Sequence, residues 1–211
     1  MGKINWVILV CFFVSVSFWI WKPDLVIEYF AFSGESFLKG RLWTLITSLF
    51  LHSNISHLLG NMIFLFVFGN TLEKELKAQK TLAVFFLGGT LSFLLSVFFY
   101  DQNIPLIGAS AAIFTLISIV MLVKPLKFSF LFLMPQGLVA IVYFLYNLMA
   151  VYYGLGGNVA YISHVIGFLV GIPFGIMWSK NWVRNLFITI GLFLAYLAIV
   201  YIIQTMLPPF G

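Results

Sequence analysis

Charge and thiol chemistry are almost missing from this chain of 211 residues. Lys, Arg, Asp and Glu together make up 8% of it, and it contains six acids, three histidines and one cysteine. Cys11 has no partner within the chain and lies in an apolar run, so neither a disulfide framework nor a thiolate metal site is available. There is no Gly-rich phosphate loop and no basic array interleaved with aromatics, so the net charge of +5 calls for no nucleic acid partner. His-Glu-x-x-His is absent, as are paired aspartates and a lysine in the middle of an apolar run. Zinc, aspartyl and Ser-Lys chemistries therefore lack their parts. No metal and no cofactor are expected.

What is abundant is apolar surface: 63% of the residues are hydrophobic and 19% aromatic. Uncharged runs are long enough to cross ~30 Å of hydrocarbon, and lipid must cover what a soluble core of this size could not hide. The composition implies an all-α polytopic membrane protein with a single integral domain over residues 1–211. The first run, Ile4 to Trp21, follows Lys3 and contains Ser15-Val-Ser17, which resembles the end of a signal peptide. Phe18 to Trp21 nevertheless continue the apolar stretch up to Lys22-Pro23, which marks the end of a span. Further spans are predicted near residues 53–72, 81–100, 106–123, 135–153, 160–178 and 183–205, making seven in all.

Basic residues orient these spans, because cytoplasmic loops retain Lys and Arg. With the N-terminus inside, Lys3, Lys74, Lys77, Lys80, Lys124, Lys127, Lys180 and Arg184 fall on the cytoplasmic side, while only Lys22, Lys39 and Arg41 lie outside. The predicted topology is N-in/C-out. The aromatic-rich outer segment 22–52 is expected to lie partly in the headgroup layer.

In this orientation the second, fourth and sixth spans all start at the outer face. Ser110 opens the fourth, His164 opens the sixth, and His57 and Asn61 occupy the first turns of the second. At ~1.5 Å per residue these groups sit roughly 5 to 12 Å below the boundary. Three helix N-termini bring partial positive charge to the same depth. A lone serine in a membrane helix usually bonds its own or a neighbouring helix, and Ser15, Ser17, Ser92, Ser96 and Ser118 are read that way. Ser110 differs because Gly108, Ala109, Ala111 and Ala112 clear the space around its hydroxyl. His164 is followed by Gly167, Gly171 and Gly175, a smooth stripe for close helix packing. His57 and Asn61, four apart on one face, can both donate to a developing oxyanion. His52 is off that face and is read as structural or water-organising. Phe114, one turn below Ser110, could stack on His164, and Asn147 is read as packing glue. Glu73 is expected to anchor the cytoplasmic turn. With no acid available for a triad, a Ser110-His164 dyad is the economical arrangement. Haem ligation by His57 and His164 would explain neither Ser110 nor the glycines.

These residues resemble the rhomboid intramembrane serine proteases. Gly108-Ala109-Ser110-Ala111 corresponds to the family's Gly-x-Ser-Gly motif, with Phe114 in the aromatic position that follows. His52, His57 and Asn61 match its second-span pattern, which continues to Glu73. His164, Gly167 and Gly171 match its final motif, and Trp43 to His52 look like its first-loop signature. Ala111, Thr44 and Ser163 stand where glycine, arginine and alanine are frequent. The resemblance covers roughly residues 40–178. It implies a six-helix core over about 4–178 with an extra C-terminal helix at about 183–205. It also implies an endopeptidase that cleaves single-pass membrane proteins near the outer face, docking them laterally at the second and fifth spans, with Gly154 to Asn158 as a lid. The expected setting is the plasma membrane of a prokaryote. An inactive rhomboid-like client binder is the main alternative and a small-molecule transporter a weaker one.

Overall fold

The stretch from Lys3 to Ile20 contains neither proline nor glycine and forms one helix, α1 (Lys3–Ile20). It is apolar all round, but its buried residues Ile4, Val7, Cys11, Ser15 and Phe18 recur every three or four positions. They make the one stripe that faces the protein, while Trp6, Phe13 and Ile20 point outward. In this computed structural model, residues 2–21, 23–155 and 159–206 are described. The orphan N–H groups that open α1 are capped from far along the chain. Glu73 accepts from Lys3 N–H at 2.7 Å and from Ile4 N–H at 2.8 Å, a carboxylate at the positive end of a helix.

The aromatic segment that follows folds into three short helices, α2 (Pro23–Phe30), α3 (Gly34–Leu38) and α4 (Thr44–Thr47), and then a 3-10 turn at Ser48–Phe50. Trp43 Nε1–H donates to the Tyr29 carbonyl at 2.8 Å, and Arg41 reaches the Glu28 carbonyl while lying over the Tyr29 ring. A β-bridge between Phe32 and Leu106 helps join this segment to the residues just before Ser110.

Next come α5 (Ile55–Phe64), a π-helical stretch at Leu65–Gly69 and α6 (Asn70–Ser96). The sequence leaves residues 73–80 between two predicted spans, with Glu73 at the cytoplasmic turn, and the helix runs on past the first of these spans until one residue, Lys77, breaks it with φ 69 and ψ 159. The residues there are Glu, Lys, Leu, Ala and Gln, all strong helix formers, so polarity alone did not end the helix. The chain reverses at Lys77. The start of α5 lies beside Gly108, and the far end of α6 bonds α9 (Tyr161–Trp178) through Ser96 and Ser163, so both ends meet at one end of the bundle.

At the centre stands α7 (Ser110–Val123), whose residues from Ala111 to Leu122 are all buried. Fourteen residues span only about 21 Å, well short of a bilayer's ~30 Å hydrocarbon, so this helix is surrounded by protein. A small hairpin, β1 (Phe128–Ser129) and β2 (Met134–Pro135), leads to α8 (Gln136–Tyr152). After α9, α10 (Trp182–Met206) packs on the outside against α7 and α8. Its Asn185 donates to the Leu122 carbonyl at 2.7 Å and so closes the C-terminal end of α7. Among the described residues, four helical stretches, Lys3–Ile20, Ile55–Ser96, Tyr161–Trp178 and Trp182–Met206, are long and apolar enough to cross a membrane, and two shorter apolar helices accompany them.

Candidate active site

The position of Ser110 begins with Gly108. Its φ of +110 is a conformation open in practice only to glycine, and a β-carbon there would lie 2.8 Å from His57 Nε2. The turn is held by Gly108 N–H to the Ser48 carbonyl at 2.9 Å and by Ala109 N–H to His52 Nε2 at 3.4 Å. Ala109 then caps α7 without a side-chain bond, and Ser110 is the first helical residue. Its own N–H, like those of the next two residues, has no i−4 carbonyl inside the helix and sits at the positive end of the dipole.

His164 reaches Ser110 because α9 and α7 touch at the level of the backbone. A β-carbon on Gly167 would collide with the Ala111 carbonyl, one on Gly171 with Ser118 Oγ and the Thr115 carbonyl, and one on Gly175 would come within 2.7 Å of Leu122. The contacts advance one turn at a time, and Thr115 Oγ1 adds a bond to the Gly167 carbonyl at 2.9 Å. It is the backbone of Ala111 that meets Gly167, so the methyl group in place of the family glycine does not separate the two helices there. At the top of this seam His164 Nε2 is 2.8 Å from Ser110 Oγ. The Phe114 ring lies parallel to the imidazole, with centroids 4.7 Å apart and planes 7° apart, and Tyr161 meets it edge-on.

Sequence reasoning missed the third member. Asn147 of α8, read as packing glue, sets its Oδ1 2.7 Å from His164 Nδ1. Its Nδ2 donates to the Tyr143 carbonyl at 2.8 Å, which leaves Oδ1 as the atom facing the ring. The histidine therefore carries its proton on Nδ1 and presents Nε2 as an acceptor to the serine hydroxyl. The available signal was a lone amide in an otherwise apolar run preceding the histidine span.

His57 and Asn61 stand opposite. Asn54 caps α5 by accepting from His57 N–H at 2.8 Å. Ser53 N–H points at His57 Nδ1 at 3.4 Å, which leaves the proton on Nε2, the atom beside Gly108. Asn61 Nδ2 donates to the His57 carbonyl at 2.8 Å and keeps a second N–H. These two residues, with Ser110, Gly60, Phe64, Phe114 and Tyr143 among others, line a cavity of about 240 Å³. His52 is fully buried, with its ring centroid 5.1 Å from that of His57. Of the residues expected to form a lid, 156–158 lie outside the described residues.

With this geometry in hand, comparison with known proteins is specific. A rhomboid domain model matches residues 39–181. A Rhomboid-like protease 1 from Toxoplasma gondii is 28% identical over 68% of this chain and 49% of its own length. A RHOMBOID-like protein 12, mitochondrial, from Arabidopsis thaliana is 34% identical over 39% of this chain and 25% of its own length. A Rhomboid protease GlpG from Salmonella newport is 25% identical over 43% of this chain and 33% of its own length. The chain thus spans about half the length, or less, of these relatives. A chain built this way, with such a match over most of its length, is an integral membrane protein of the protease-containing rhomboid class. It belongs to the rhomboid family. One of these relatives carries the name mitochondrial, so family membership does not by itself fix the compartment.

Proposed function

We infer that the protein is an intramembrane serine endopeptidase in which Ser110 is the nucleophile and His164 its base. The observation that carries this reading is the continuous line Ser110 Oγ, His164 Nε2, His164 Nδ1, Asn147 Oδ1, with links of 2.8 and 2.7 Å across three helices. The Ser110 proton passes to Nε2 as Oγ attacks a peptide carbonyl, and the imidazolium so formed is stabilised by the Asn147 carbonyl oxygen. Charge developing on the substrate oxygen is met by the Ser110 N–H, His57 Nε2–H and the second Nδ2–H of Asn61. His164 returns the proton to the leaving amine. A water molecule, deprotonated in turn, then releases the acyl group.

The substrate class follows from where this line lies. Rhomboid proteases act on transmembrane segments within the bilayer. Here the topology is read as N-in/C-out from the loop lysines, with the six-helix core over about 4–178 and α10 as an addition. The shortness of α7 supports a Ser110 that lies below the membrane surface. A single-pass substrate enters laterally between α5 and α8, which are bridged by the rings of Phe64 and Tyr143 at 4.5 Å. Its helix unwinds to present a carbonyl to the cavity beside Gly60.

The test is cleavage of a reporter single-pass protein, together with fluorophosphonate labelling of the purified protein. Wild type is expected to cleave and to be labelled at Ser110, and Ser110→Ala and His164→Ala to do neither while remaining folded. A client-binding relative without activity would leave wild type unlabelled, and full activity in either variant would end this reading.

A further inference from the structure

His52 is buried, ionisable and unused by the dyad, and its ring is bonded on both sides. Nε2 accepts the Ala109 N–H at 3.4 Å, so the ring proton sits on Nδ1 and points to Ser15 Oγ at 3.0 Å. The Ser15 hydroxyl in turn donates to the Phe50 carbonyl at 3.0 Å. One turn along α1, Trp19 Nε1–H donates to the His52 carbonyl at 2.7 Å. Ser15 and His52 are both fully buried. A line of hydrogen bonds therefore runs from the first helix to the residue immediately before Ser110.

Ser15 stands in a stripe otherwise made of Ile4, Val7, Cys11 and Phe18, where packing alone would favour an apolar side chain. A serine within a helix ordinarily bonds back to the carbonyl one turn earlier, as Ser92 and Ser96 do in α6. Ser15 instead spends its donor on the Phe50 carbonyl and its lone pair on the histidine. A hydroxyl is the smallest side-chain group that can do both.

We propose that Ser15 is a positioning residue for the nucleophile, acting through His52. By accepting from Nδ1 it fixes the tautomer in which Nε2 is an acceptor, and Nε2 then holds the Ala109 amide. In the other tautomer an N–H would face an N–H, and the turn that carries Ser110 would lose its side-chain hold. Among the described residues, His52 supplies the one side-chain bond to the Gly108-Ala109 backbone. The proposal rests on the reading of Ser110 as nucleophile, and the experiment keeps the two apart.

The rate of fluorophosphonate labelling at Ser110 is measured in the full chain alongside kcat and KM for a reporter substrate. Ser15→Ala is expected to lower both the labelling rate and kcat by about 3- to 10-fold, the worth of one net hydrogen bond, with KM unchanged. Ser15→Thr keeps a hydroxyl and is expected to recover most of the loss, and Ser17→Ala, on the same helix but outside this line, to label like wild type. Labelling of Ser15→Ala at the wild-type rate would overturn the proposal. So would a loss that merely follows the unfolded fraction and is not recovered by Ser15→Thr. A wild-type protein that fails to label overturns the nucleophile reading itself, whatever Ser15 does.

Discussion

Replacing Asn147 by alanine is the sharpest test of how the candidate dyad is held. Asn147 is buried, its Oδ1 lies 2.7 Å from His164 Nδ1, and its amide is oriented by the bond from Nδ2 to the Tyr143 carbonyl. Alanine removes the one acceptor that the described residues offer to Nδ1–H, in a site where the imidazole must become a cation during the proposed reaction. A hydrogen bond to a charged group is worth about 1.5 to 3 kcal/mol. Lost at the transition state, that energy corresponds to a fall of roughly 10- to 150-fold in kcat. KM should hardly move, since Asn147 lies behind the histidine and is not among the residues lining the cavity. The Phe114 ring still stacks on the imidazole, so residual activity is expected, and Phe114→Ala combined with Asn147→Ala should fall by more than the two single losses predict. The assay is steady-state cleavage of a reporter transmembrane substrate by protein of verified thermal stability. A folded Asn147→Ala variant with kcat within about twofold of wild type would refute the view that this amide orients the base.

Four further variants have defined outcomes. His57→Ala should lower kcat on the order of 100-fold, read in the same cleavage assay, because it deletes one donor to the oxyanion. Gly171→Leu should lower the thermal midpoint and with it the yield of folded protein, since even a β-carbon there meets Ser118 Oγ and the Thr115 carbonyl; overpacking of this kind costs about 1 to 3 kcal/mol. Glu73→Ala should destabilise by about 1 to 2 kcal/mol through loss of the α1 cap, seen as a lower thermal midpoint with kcat per folded molecule unchanged. By contrast, Lys39→Ala should leave the thermal midpoint where it is. Its bond to Glu35 holds that carboxyl below the usual range, so whatever it contributes is present at neutral pH and lost as pH falls through the lowered value, but the pair is exposed and screened.

Much of the candidate site was legible in the sequence because hydrocarbon is a severe solvent. A membrane chain that keeps few polar groups must use most of them, so Ser110, His164, His57 and Asn61 stood out against their surroundings, and Gly167, Gly171 and Gly175 announced a close helix seam. The same logic missed Asn147, and it read Ser15 as helix-to-helix glue without naming His52 as its partner. An isolated asparagine or serine in an apolar run is usually satisfied by its own or a neighbouring helix, and only its neighbour in space says which group it holds. The break between the second and third predicted spans does fall within residues 73–80, but its position at Lys77 was not legible, since Glu, Lys, Ala and Gln are all strong helix formers.

Composition and spacing alone determined that this chain is helical and membrane-embedded, and that a serine and a histidine open two of its helices. Those properties depend on transfer free energy and on a period of 3.6 residues, both local to the chain. Which nitrogen of His164 faces Ser110, which groups hold each histidine in its tautomer and how α1 is joined to the nucleophile turn were decided only by the tertiary structure. Hydrogen bonds between residues 17 to 57 positions apart are directional, and their direction is set by how helices pack rather than by where residues fall along the chain.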